Sequence, residues 1–174
     1  MDVRYPIGTY TLEGQVTPHQ RNIWIEEIEE LPEKLREAVT GLTENQLDLS
    51  YREGGWALRQ VVHHVADSHM NSFIRFKLAL TEELPTIKPY FEDRWAELSD
   101  SKYVDAQLSL SLLDGLHKRW TILLRSMEES DFLKQFYHPE SKQTVHLDYN
   151  LGLYAWHGKH HTAQITTLRH TLNI

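Results

Sequence analysis

Four stretches of this chain repeat apolar residues every three or four positions, and that spacing constrains the fold more than any other feature. The first starts at Thr17-Pro18, an N-cap residue followed by a proline suited to the first helical position, and runs to about Val39. Its stripe is Trp24, Ile28, Leu31, Leu35 and Val39. Pro32 falls inside it and predicts a kink or a division into two helices. The second helix begins near Trp56, after the loop Arg52-Glu53-Gly54-Gly55, and ends before Pro85. Leu58, Val61, Val62, Val65, Phe73, Phe76, Ala79 and Leu80 give it a wide apolar face, and Ile74 and Leu78 elsewhere on it predict a central position. The third spans roughly Asp105 to Met127, with Leu108, Leu112, Leu116, Trp120, Leu123 and Met127 expected inward, and the fourth runs from about Leu147 to Leu172.

The remainder is connection. Residues 1–16 read as an extended arm broken by Pro6, Gly8 and Gly14. Residues 84–104 form a long link with Pro85, Pro89 and a short helix around Trp95, and residues 131–146 read as irregular. With almost no alternating pattern, the reading is all-α: a four-helix bundle in a single domain, residues 1–174. The long link between the second and third helices allows those two to run parallel.

Charge and composition narrow the function. The chain has 174 residues and a net charge of −7, from 25 acidic and 18 basic residues. Its cations are scattered among acids, so no basic stripe offers a nucleic-acid or membrane surface. No run is long enough to span a bilayer and the start lacks a signal-peptide pattern, so the cytoplasm is expected. Without cysteine there can be no disulfide, thiolate ligand or cysteine nucleophile. Histidine is the anomaly, at 11 residues. Any bound metal must therefore be held by imidazole and oxygen.

On the fourth helix His157 and His161 share the apolar face with Leu147, Leu151, Tyr154, Ile165 and Leu168, and Asn150 lies nearby; His160 and His170 point away from it. Spacing of i, i+4 lets two imidazoles converge on one ion, although core histidines bonded to side chains or water would show the same pattern. A third ligand must come from the second helix, where His63, His64 and His69 stand near Asp67. His69 is near the centre of the apolar face and His64 at its edge, so periodicity favours His69 or leaves the choice open. No H-E-x-x-H motif, E-x-x-H pair, glycine-rich phosphate loop or G-x-S-x-G elbow occurs.

Arg4-Tyr5-Pro6-Ile7-Gly8, Arg52-Glu53-Gly54-Gly55-Trp56, His63-His64-Val65-Ala66-Asp67-Ser68-His69, Pro85-Thr86-Ile87-Lys88-Pro89-Tyr90 and Trp156-His157-Gly158-Lys159-His160-His161 occur in that order. In this the chain resembles the DinB/YfiT family of metal-binding four-helix-bundle proteins, and its YfiT branch most closely. The resemblance implies ligands at His64, His157 and His161, overruling the wheel's preference for His69. Gln164 stands where the family pattern often has a histidine, so a fourth imidazole is not available there. It further implies one zinc or nickel ion per chain, an up-down-down-up bundle and a homodimer.

Two activities follow from the same resemblance: transfer of a low-molecular-weight thiol such as bacillithiol onto electrophiles, and metal-dependent hydrolysis. A non-catalytic metal-binding or interaction bundle would need only the histidines. Three neutral imidazoles leave a coordination position open, where a thiol or water could be activated; no side chain is assigned a catalytic role. Asp67, Asn150 and Tyr154 are candidates to support the ligands from behind. The arm Arg4–Gly8 and the loop Arg52–Trp56 either line the site or pack across the bundle end.

Overall fold

The computed structural model describes residues 2–174. Helix α1 (Pro18–Val39) starts where the Thr17 hydroxyl accepts a hydrogen bond from the Gln20 amide at 3.2 Å. It continues through Pro32 as one helix, where a kink or a division was expected. Proline has no N–H, so the Ile28 carbonyl one turn back loses its helical donor. His117 replaces that donor, with Nδ1 2.5 Å from the Ile28 oxygen. A tertiary contact thus repairs what the local sequence breaks.

The other long helices are α3 (Leu58–Thr81), α6 (Ala106–Arg125) and α7 (Leu147–Leu172), close to the expected boundaries. Cross-helix pairs give their directions. Arg21 with Asp148, Glu27 with Lys159 and the Ala38 carbonyl with Arg169 advance together, so α1 and α7 are parallel. Glu29 with Arg125 and Arg36 with Asp114 run oppositely, so α1 and α6 are antiparallel. His64 with His157 and Ser72 with Asn150 make α3 and α7 antiparallel. His63 with Ser109 and His69 with His117 make α3 and α6 parallel. The bundle is therefore up-down-down-up, with α1 and α3 each packed between α6 and α7.

The parallel pair α1 and α7 approach closely. A Cβ on Gly152 would stand 2.8 Å from the Trp24 ring, and one on Gly158 would overlap the Leu31 side chain. Arg21 is buried at the start of this contact and is bonded to Asp148 of α7 and to Glu129.

Short elements complete the ends. Helix α2 (Glu44–Leu47) precedes α3, and α4 (Glu92–Ala96) and α5 (Ser99–Tyr103) lie in the long link. Two side chains at the start of α3 hold these pieces. Arg59 is buried and bonds Glu44, Asp48 and the Val104 carbonyl, while Gln60 donates to the Ala96 carbonyl at 2.7 Å.

Two expectations fail here. Residues 131–146 contain a 3-10 turn (Asp131–Leu133) and an antiparallel hairpin, β1 (Gln135–His138) with β2 (Gln143–His146). Four-residue strands carry too little alternation to be recognised; Phe136 anchors the hairpin by entering the core, and Thr86 bridges to Tyr137 beside it. On α6, Leu108 and Leu112 are 64% and 47% exposed, whereas Leu110 and Leu113 are buried. Leucines occur on several sides of the run Leu108–Leu113, so periodicity alone selects the wrong pair.

Trp120 is fully buried against Phe73, Phe76, His69, His117 and Tyr154. Trp120→Ala is expected to cost about 3–5 kcal/mol in urea unfolding of the metal-free protein, since large-to-small changes in a packed core leave a cavity. A loss under about 1 kcal/mol would mean that the bundle is not packed around this ring.

Candidate metal centre

Helices α3 and α7 meet midway along the bundle, and His64, His157 and His161 face one another there. Each offers one nitrogen, and these nitrogens all lie within 4.8 Å of one another. His64 Nε2 and His157 Nε2 are 3.3 Å apart. Zinc–imidazole bonds of about 2.0–2.1 Å in tetrahedral geometry set ligand nitrogens about 3.4 Å apart, so this spacing fits a cation. His161 is one turn beyond His157, and its ring centroid is 4.8 Å from that of His64.

The hydrogen bonds behind the cluster fix which nitrogens are free. Gln164 Nε2 donates to the Arg4 carbonyl at 3.1 Å, and because that oxygen can only accept, the orientation of the amide is determined. Gln164 Oε1 therefore faces His161 Nδ1 at 2.9 Å and takes its hydrogen, leaving His161 Nε2 with a lone pair. The same amide donates to His160 Nε2 at 3.1 Å. Gln164 was not recognised as a site residue from the sequence beyond its lacking an imidazole. Its position three residues after His161, on the same face, was the available signal.

Burial keeps these imidazoles neutral. It holds His157 and His161 well below the ordinary histidine range, helped by the neighbouring imidazoles, and lowers His64 to about 4. Neutral imidazole is the form that binds metal.

The cluster forms the floor of a cavity of about 370 Å³. Arg4 and Tyr5 of the arm, Arg52, Gly54, Gly55 and Trp56 of the loop, and Trp156, Glu92 and Asp93 line it. The arm and loop therefore line the site, and Trp156 belongs to its wall. Gly54 has φ +64°, and a Cβ on Gly55 would stand 2.7 Å from Arg52 Cγ, so the turn that carries Arg52 needs both glycines. A larger cleft of about 900 Å³, between the arm and the β-hairpin, contains none of the clustered histidines.

Residues 27–165 match the sequence model of the DinB superfamily. The chain belongs to the DinB superfamily. Relatives in Bacillus mycoides (strain KBAB4) and Bacillus cereus (strain B4264) are 59% and 58% identical over 172 residues, covering 99% of this chain and 98% of their own length. Both carry the name "Putative metal-dependent hydrolase". YfiT from Bacillus subtilis, described as "a probable metal-dependent hydrolase with an unusual four-helix bundle topology", superposes with a TM-score of 0.97 at 51% identity, over 99% of each chain.

Other candidate residues of this DinB-superfamily chain fall elsewhere. His69 stays out of the three-nitrogen cluster, and its Nε2 is 3.2 Å from His157 Nδ1, behind that ring rather than beside it. Asp67 makes no side-chain hydrogen bond to His64, His157 or His161; burial and Asp100 raise its carboxyl to about 6. Asn150 donates to Ser72 and Tyr154 accepts from Ser68, so both tie α7 to α3 near the site without bonding a cluster histidine. His160, expected to point away, is buried because Tyr5 of the arm and Trp156 cover its ring. His63 bonds Ser109 and the Val104 carbonyl and so serves the α3–α6 contact. No helix among the described residues is long and apolar enough to cross a membrane.

Proposed function

We propose that this chain is a metal-dependent enzyme in which His64, His157 and His161 hold one zinc or nickel ion, and that it transfers a low-molecular-weight thiol of the bacillithiol type to an electrophile. The observation that carries the metal site is the convergence of three neutral imidazoles at the floor of a cavity. A divalent cation held there supplies Lewis acidity, which lowers the pKa of a thiol or of water.

The chain's own residues favour the thiol. None of the three imidazoles has a carboxylate hydrogen-bonded to it among the described residues, and Asp67, the acid nearest to them in sequence, makes no bond to them. Hydrolysis of an ester or amide gains from a positioned base and a leaving-group acid, whereas attack by an already ionised thiol has less need of one. The cavity walls orient the substrate: Trp56 and Trp156 offer aromatic surface, and Arg52 offers a guanidinium with no ion pair to an acid among the described residues.

Metal-dependent hydrolysis is the second reading. It is supported by the names of the relatives and by Glu92 and Asp93 on the wall, which could serve as base or acid. In this reading the chain acts as a homodimer in the cytoplasm.

The test loads the purified protein with zinc and follows two reactions, conjugation of bacillithiol to monochlorobimane and hydrolysis of p-nitrophenyl acetate. Thiol conjugation in wild type that disappears in His161→Ala is the expected result. Metal-dependent ester hydrolysis without conjugation would overturn the transferase reading in favour of the hydrolase.

A further inference from the structure

Behind the cluster, three imidazoles run in file across the bundle. His157 Nδ1 faces His69 Nε2 at 3.2 Å. His69 stacks on His117, with ring centroids 4.9 Å apart and planes 20° apart. His117 Nδ1 faces the Ile28 carbonyl left free by Pro32. His69 and His117 are both buried.

An imidazole can carry its hydrogen on either nitrogen, and a histidine on the cation through Nε2 must carry it on Nδ1. The Ile28 oxygen can only accept, so His117 carries its hydrogen on Nδ1 and its Nε2 is an acceptor. His117 Nε2, His69 Nδ1 and Trp120 Nε1 are buried without partners among the described residues, and each of the first two rings lies within 5.9 Å of the Trp120 ring, centroid to centroid. Parallel stacked rings cannot bond each other directly, because their N–H bonds lie in their own planes. With a cation on His157 Nε2, His157 carries its hydrogen on Nδ1 and donates it to His69 Nε2, which leaves the His69 hydrogen on Nδ1.

We propose that His69 is a positioning residue: it carries its hydrogen on Nδ1, accepts from His157 Nδ1 through Nε2, and so holds the His157 Nε2 lone pair toward the cation. The inference rests on the reading of the cluster as a metal site. It also explains a histidine at the centre of an apolar face that ligates nothing: its second nitrogen is used to direct a ligand.

Two measurements test it. Long-range proton–nitrogen NMR of the metal-free wild type should find His117, His69 and His157 all carrying hydrogen on Nδ1. Finding His69 or His157 protonated on Nε2 would overturn the proposal. Zinc affinity, measured by chelator competition, should fall about 10–100-fold in His69→Phe and stay within a few-fold of wild type in His69→Gln, whose amide oxygen can accept in place of Nε2. Equal affinities in His69→Phe and wild type would overturn it as well. If His69→Phe does not fold, the NMR result on wild type decides. A wild type that takes up no zinc yet shows the expected tautomers would overturn the metal reading and leave the file of imidazoles standing.

Discussion

His161→Ala is expected to leave the purified protein nearly free of metal, while wild type carries about one zinc or nickel per chain. Mass-spectrometric metal analysis of tag-free protein, prepared without chelators, reads this directly. Two of the three nitrogens would remain, on His64 and His157, and two imidazoles without a third protein ligand make an open site that loses its ion during purification. The loss should be specific. His170→Ala, an exposed histidine on the same helix, should keep its metal. Wild-type protein with no metal after such a preparation would refute the cofactor assignment and with it both catalytic readings.

The metal-free protein should also lose stability steeply in mild acid. Burial lowers His64 and His117 to about 4 and holds His69, His157 and His161 well below the ordinary value. In the unfolded chain these groups titrate near 6.5. Below that pH the unfolded state binds more protons, so stability present above about pH 6.5 is lost as the pH falls toward the folded values. Each such histidine adds a slope of about 1.4 kcal/mol per pH unit in this window. Asp67 acts the other way: raised to about 6, it takes up its proton in the folded state first and offsets part of the loss. The net expectation is a urea midpoint that drops sharply between pH 7 and pH 5. Equal midpoints at the two pH values would mean that these imidazoles are solvated rather than buried.

Both predictions depend on side chains whose identity was legible in the sequence and whose arrangement was not. The i, i+4 pair His157 and His161 could be read from helical spacing, because neighbours on one helix are placed by local geometry alone. The partner on α3 could not. Periodicity placed His69 at the centre of the buried face and His64 at its edge, and both statements are true of the structure. What decides which of them joins the cluster is the antiparallel registration of α3 against α7, which sets His64 Nε2 beside His157 Nε2 and His69 behind it. Only the resemblance to known relatives, which implied His64, carried that information in advance.

The long helices themselves were determined by the sequence, since their stripes of apolar residues every three or four positions bury one face whatever they pack against. The rotation of α6 was not, because leucines on several of its sides leave the burial of Leu110 and Leu113 over Leu108 and Leu112 to the neighbouring helices. Pro32 shows the same division. Local rules say that a proline interrupts a helix, and α1 continues because a histidine 85 residues further along the chain supplies the missing donor. Hydrogen bonds and burial between distant residues exist only once the chain has folded. The tertiary structure alone therefore decided which histidines meet, which nitrogens face the cavity, and which side chains hold them there.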